Sequence, residues 1–165
     1  MRILAGLSAP AAGDVLFGGQ PLGKAGRAAR QCTLYIGHAN ALKDDLTLQE
    51  ALTFLARLAE LPDAEARAQE ALERLGLGSR RKAAVRTLSQ GQRRRGALAR
   101  LALDEAPRSW ILDEPYDALD SESTQLLSAL ISDHAARGGS VLLTSHQTVS
   151  LPGLREHLLR AAAPA

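Results

Sequence analysis

The chain has 165 residues, 45% of them hydrophobic and 23% charged, with a formal net charge of only +2; this suits one globular domain with a buried core. Despite an isoelectric point near 9.0, so even a charge balance does not select nucleic acid or an anionic membrane surface as a partner. No apolar run approaches the ~18 residues that span a bilayer, and the N-terminus lacks the basic-then-apolar order of a signal peptide, so a cytoplasmic chain is expected. A single cysteine, Cys32, rules out an internal disulfide, and its strand-like surroundings assign it to the core of a protein in a reducing compartment.

Met1–Leu7 has the pattern of the end of an apolar helix stopped by Gly6, followed by a Ser-Ala-Pro-Ala-Ala-Gly connection. Asp14–Phe17 alternates like a strand entering a turn at Gly18-Gly19. Gln31–Ile36 is a second strand, ended by Gly37-His38. A histidine there can be structural, or as a neutral imidazole it can touch a metal or a reacting water. Over Leu46–Leu61, Leu48, Leu52, Leu55 and Leu58 recur with Ala51 and Ala59 at helical spacing until Pro62. Asp63 is then expected to cap a helix over Ala64–Leu75 that Gly76 and Gly78 end, and Arg80–Lys82 to lie on a solvated turn.

Leu88-Ser89-Gln90-Gly91-Gln92 leads into a helix over Gln92–Leu103, with Ala97, Leu98, Leu101 and Ala102 inward and Arg93–Arg95 largely outward. Ser89 can cap it, so a hydroxyl, free N–H groups near Gly91 and Gln92 and the positive dipole end converge on one anion site. Ser109–Leu112 suits a buried parallel strand, and Asp113 and Glu114 follow where open α/β sheets bind ligands. There Asp113 can hold Mg²⁺ through water while Glu114 polarises the water that attacks a γ-phosphate. Taken alone, the same pair also reads as a cap on the turn at Pro115. After Ala118-Leu119-Asp120, an amphipathic helix over Ser121–Ala136 turns Leu126, Leu127, Leu130 and Ile131 to the core and stops at Gly138-Gly139. Ser140–Leu143 is expected to be a buried strand ending in Thr144-Ser145-His146, and Leu151–Ala165 a short helix with an alanine-rich tail.

In order and spacing, Leu88–Gln92, Asp113–Glu114, Ala118–Asp120 and Thr144–His146 resemble the signature loop, Walker B, D-loop and H-loop of the ATP-binding cassette (ABC) ATPases. The resemblance implies an α/β fold, a P-loop NTPase-like ABC core truncated at its N-terminus, with an inserted helical subdomain. Within a single ATP-binding domain it assigns 1–45 to a remnant of the core and β subdomain and 46–104 to the helical subdomain with the signature. It assigns 105–150 to the core from Walker B to H-loop and 151–165 to a C-terminal tail. The Walker A loop, Gly-x-x-x-x-Gly-Lys-Ser/Thr, appears nowhere in the 165 residues. Gly18-Gly19 with Gly23-Lys24 lacks the following Ser or Thr and suits a β-turn. The expectation is therefore a true start upstream of Met1, with about forty residues absent.

Cassettes of this family pair head to tail. The resemblance thus implies that Ser89, Gln90, Gly91 and Gln92 serve ATP held by a second subunit. Asp113 (Mg²⁺), Glu114, His146 and His38, at the Q-loop station, would serve the chain's own ATP, and Asp120 would sit at the dimer seam. Tyr35–His38 with Leu42-Lys43 and Leu46-Thr47, the run Leu88–Arg95, and Thr144–Gln147 further resemble the haem-exporter ATPases of cytochrome c biogenesis, with departures at Tyr116-Asp117 and Glu50-Ala51. That implies a homodimer of ATPase subunits bound to integral membrane subunits on the cytoplasmic face of a bacterial inner membrane, driving haem delivery, with no nucleic acid partner. Cys-x-x-Cys-His is missing, so the chain itself is assigned no haem ligand. An ABC ATPase for another cargo, or a non-catalytic partner offering only its signature face, is the alternative. Alone, the chain is expected to bind ATP poorly and hydrolyse essentially none.

Overall fold

In the computed structural model, which describes residues 1–157 apart from the side chains at 27, 28 and 30, the N-terminal turn closes as its glycine requires. Gly6 has φ +71°, and the N–H groups of Gly6 and Leu7 return to the carbonyls of Ile3 and Arg2 at 3.0 and 2.9 Å, the pairing that ends a helix. Strands β1 (Leu16–Phe17) and β2 (Gln20–Pro21) form a hairpin about Gly18-Gly19, whose φ angles of +57° and +79° suit a two-residue hairpin loop. Helix α1 (Leu22–Gln31) was not expected. It is kinked at Gly26, and Gly23 and Gly26 lower the helical propensity that would have announced it.

Strands β3 (Thr33–Ile36), β4 (Ser109–Leu112) and β5 (Ser140–Leu143) make a parallel sheet in the order β3-β4-β5. Ile36 pairs with Leu112 and Leu112 with Leu143, so the strands end level and their C-terminal turns share one edge. The middle strand buries Trp110, Ile111 and Leu112, as its apolar run foretells. Two burial expectations are corrected at the flanks. Cys32, just before β3, is exposed, and β5 alternates between half-buried and exposed, with Leu142 46% exposed. Each lies on a strand with one described neighbour instead of two.

The segment between β3 and β4 is helical. Helix α2 (Leu48–Leu58) starts with a capping box: Thr47 Oγ1 accepts the Glu50 N–H at 3.2 Å and the Glu50 carboxylate accepts the Thr47 N–H at 2.8 Å. Its buried face is Leu48, Ala51, Leu52 and Ala56, set against Ala68, Ala71 and Leu72 of α3 (Ala64–Arg74); Leu58, at the same helical spacing, is 70% exposed at the end of α2. Asp63 makes no cap, because its left-handed backbone (φ 51°) does not offer the carboxylate to the first turn. Helix α4 (Gln90–Leu98) continues as a 3₁₀ turn over Ala99–Ala102. Helix α5 (Ser121–Ala136) returns the chain to β5, burying Leu127, Leu130, Ile131 and His134. The C-terminal helix expected over 151–165 falls partly outside the described residues; 151–157 hold a turn and no helix.

Candidate functional site

Level strand ends bring three turns together: Gly37-His38 after β3, Asp113-Glu114 after β4 and Thr144-Ser145-His146 after β5. Thr144 joins the last two. Its hydroxyl donates to Asp113 Oδ1 at 3.0 Å and accepts the Glu114 N–H at 3.1 Å. Burial and the neighbouring Asp113 charge push the Tyr35 phenol above its ordinary value. The Glu114 side chain is 18% exposed, and its carboxylate accepts the His146 N–H at 3.1 Å. His146 Nε2 lies 3.5 Å from the other oxygen, on an imidazole that is 90% exposed and free to meet a ligand. Glu114 has φ 47°, a left-handed position that non-glycine residues hold only where their surroundings enforce it.

His38 stands on the same edge, but its recorded side-chain partner is Asp117, with Nδ1 3.9 Å from Oδ2, and its ring is exposed. Asp120 caps α5, accepting the Ser123 N–H at 2.8 Å. Hydrogen bonds from Ser123 hold its carboxyl below the ordinary carboxylate range.

Ser89 Oγ accepts the Gln92 N–H at 3.2 Å, and Gln92 Oε1 accepts the Ser89 N–H at 3.1 Å. The Gln92 side chain is thereby engaged within the cap. The Ser89 hydroxyl proton and the N–H groups of Gln90 and Gly91 are left for an anion, at a tip where Ser89 and Gln90 are exposed. On its other side the tip rests on its own chain: a Cβ on Gly91 would come within 2.9 Å of the Ala118 carbonyl oxygen.

One residue reverses its expected position. Arg94 is 3% exposed and buries its guanidinium among the backbone carbonyls of Gly37, His38, Asp113 and Glu114. The signal was its phase: it lies three and four residues before Ala97 and Leu98, on the same inward face. The arginine triplet masked that phase.

Chemically, the edge offers one hard carboxylate oxygen for a cation at Asp113, and at Glu114 a fixed carboxylate able to accept a proton from water. Among the described residues no group of three or more His, Cys, Asp or Glu converges on a metal position. A cavity of about 580 Å³, lined by Ile3, Leu7, Val15 and Leu22 among others, reaches Thr33 at the opposite end of β3 and contains none of these groups.

The family model for ABC transporters matches residues 1–117. Relatives include the cytochrome c biogenesis ATP-binding export protein CcmA of Albidiferax ferrireducens, 40% identical over 99% of this chain and 77% of that protein. The CcmA proteins of Haemophilus influenzae (41% over 98% and 76%) and Pseudomonas putida (46% over 90% and 70%) are similar in the same way. Among solved structures, the ATP binding subunit of an ABC transporter superposes with a TM-score of 0.75 at 27% identity, over 88% of this chain and 61% of that one. The chain thus spans about three-quarters of the first of these relatives and less than two thirds of that solved subunit. A dimeric ATP-binding cassette in a post-hydrolysis state with ADP and Pi gives a TM-score of 0.76 at 22% identity over 88% and 68%, a likeness of fold.

Proposed function

The chain belongs to the family of ABC transporter ATP-binding subunits, and from that premise we propose that it couples ATP hydrolysis to haem export in c-type cytochrome biogenesis. The observation that carries the hydrolytic part is the pairing of Glu114 with His146 at 3.5 Å beside Asp113, on one edge of the sheet. ATP supplies the phosphoanhydride bond and Mg²⁺ the charge that steadies its phosphates. Asp113 would hold the cation when it is bound, its carboxylate fixed by the Thr144 hydroxyl. Glu114 orients the attacking water and accepts its proton, while His146 restrains Glu114 and reaches toward the γ-phosphate. His38 lines the same edge as a polar contact to water.

The Ser89 hydroxyl and the Gln90 and Gly91 N–H groups serve ATP on a second copy of the subunit, with Gln92 closing the cap behind them. Asp120 lies at the seam between copies while capping α5. Among the described residues no helix is long and apolar enough to cross a membrane. From its family, the subunit is proposed to work at the cytoplasmic face of the inner membrane against integral membrane partners.

Loss of the gene tests the cargo. Covalent haem attachment to c-type cytochromes should stop while haem synthesis continues, and return with the wild-type gene. Normal cytochrome c maturation in the null strain would move the chain to another cargo.

A further inference from the structure

Arg94 places a full positive charge, 3% exposed, among backbone carbonyls, and among the described residues no carboxylate is bonded to it. Nη1 donates to the Gly37 carbonyl at 2.9 Å and the His38 carbonyl at 3.5 Å. Nη2 donates to the carbonyls of Asp113 at 2.9 Å and Glu114 at 2.7 Å. Burial pulls the guanidinium below its ordinary value, against the fields of Asp117, Asp113 and Glu114. Bonds from a charged donor offset that desolvation only when the acceptors are well placed, and here the acceptors are the backbones that carry His38, Asp113 and Glu114. The shortest bond goes to the carbonyl of Glu114, the residue with the left-handed backbone. One helical turn earlier, Gly91 abuts the Ala118 carbonyl. Helix α4 therefore grips residues 113–118 at both of these points.

We propose that Arg94 is the positioning residue of the hydrolytic edge, locking the Glu114 and His38 backbones to the helix whose Ser89 tip serves the partner's nucleotide; this rests on the ABC reading above. A shift of α4 as a second subunit's ATP meets its tip is carried to Glu114 by a planar, multiply bonded fork rather than by a mobile side chain. Lysine keeps the charge but cannot span these carbonyls.

The test uses Arg94→Lys and Arg94→Gln in the ATPase assembled with its membrane subunits. Melting temperature, kcat and KM for ATP are measured, together with hydrogen exchange of peptides covering 113–118 and 144–147. The amides of Glu114 and Asp117 and of His146 are the reporters, because they bond to Thr144 Oγ1, the Glu114 carbonyl and the Glu114 carboxylate.

For Arg94→Lys we expect a fold intact at the assay temperature with a melting temperature a few degrees lower, unchanged KM, kcat down by about 100-fold, more than that fall explains, and exchange about tenfold faster in those peptides alone. Arg94→Gln should lose more. Wild-type kcat or unchanged exchange in Arg94→Lys overturns the proposal. So does a loss of kcat that merely follows a fall in melting temperature, or failure of both variants to fold, since Arg94 would then hold the fold and not the site. A wild-type assembly that does not hydrolyse ATP would instead sink the functional reading, and the exchange result would still decide the role of Arg94.

Discussion

His134 is fully buried, stacks on Trp110 with ring centroids 3.6 Å apart, and lies with Nε2 2.8 Å from the Arg108 carbonyl; Nδ1 has no partner among the described residues. That geometry holds the neutral Nε2–H tautomer, because charging the ring would bury an uncompensated proton at Nδ1. Burial pulls its pKa below the ordinary histidine value. With the folded pKa below the unfolded one, the contribution to stability is complete above the unfolded value of about 6.5 and is lost as pH falls through it toward the folded value. Calorimetry between about pH 7.5 and 5.5 should show a falling melting temperature, flattened in His134→Phe. A wild-type profile without that slope would contradict the account. The same ring explains Gly139, where an added Cβ would overlap the imidazole. Gly139→Ala should cost about 1–3 kcal/mol in chemical denaturation, and a neutral result would mean the stack relaxes at no cost.

Helices α4 and α5 show what a sequence discloses about an element. The span of α5 was legible because Leu127, Leu130 and Ile131 keep helical phase and Gly138-Gly139 end it; β5 was legible between that stop and Thr144. Of the caps, Ser89 was legible, whereas Asp63, expected to cap α3, makes none; Thr47 with Glu50, a hydroxyl followed three residues later by a carboxylate, caps α2. Helix α1 was hidden by its glycines, and the inward turn of Arg94 by charged neighbours whose residue type outweighed its phase. Exposure at Cys32 and Leu142 was not legible at all, since it depends on how many strands flank β3 and β5, and no local pattern encodes that.

At this scale the exposed Ser89 tip makes a prediction of its own. Ser89→Arg should leave circular dichroism unchanged and abolish ATP turnover in the assembly, because a bulky side chain then fills the place of the partner's phosphate. Wild-type turnover would show that the tip serves no nucleotide.

Across the whole molecule, helical and sheet parts meet along one edge. Three strands end level there, and α4 touches two of the turns that follow, through Arg94. The groups proposed for hydrolysis, Asp113, Glu114 and His146, come from two neighbouring strand ends, while the proposed signature tip is exposed at Ser89 and Gln90. The 165 residues contain no Gly-x-x-x-x-Gly-Lys-Ser/Thr segment. Each missing charge-assisted phosphate contact is worth about 1.5–3 kcal/mol, so losing even two weakens MgATP binding by about two orders of magnitude or more. Titration calorimetry on these residues alone should find weak binding without turnover, and tight binding there would contradict that contact count.

The most direct measurement is single-turnover ATP hydrolysis by the assembled transporter with Glu114→Gln. Glutamine keeps the shape but cannot take the proton, so ATP should remain bound while the chemical step slows by about 10²–10⁴-fold. Hydrolysis at the wild-type rate would show that the carboxylate beside His146 is not the group that activates the water.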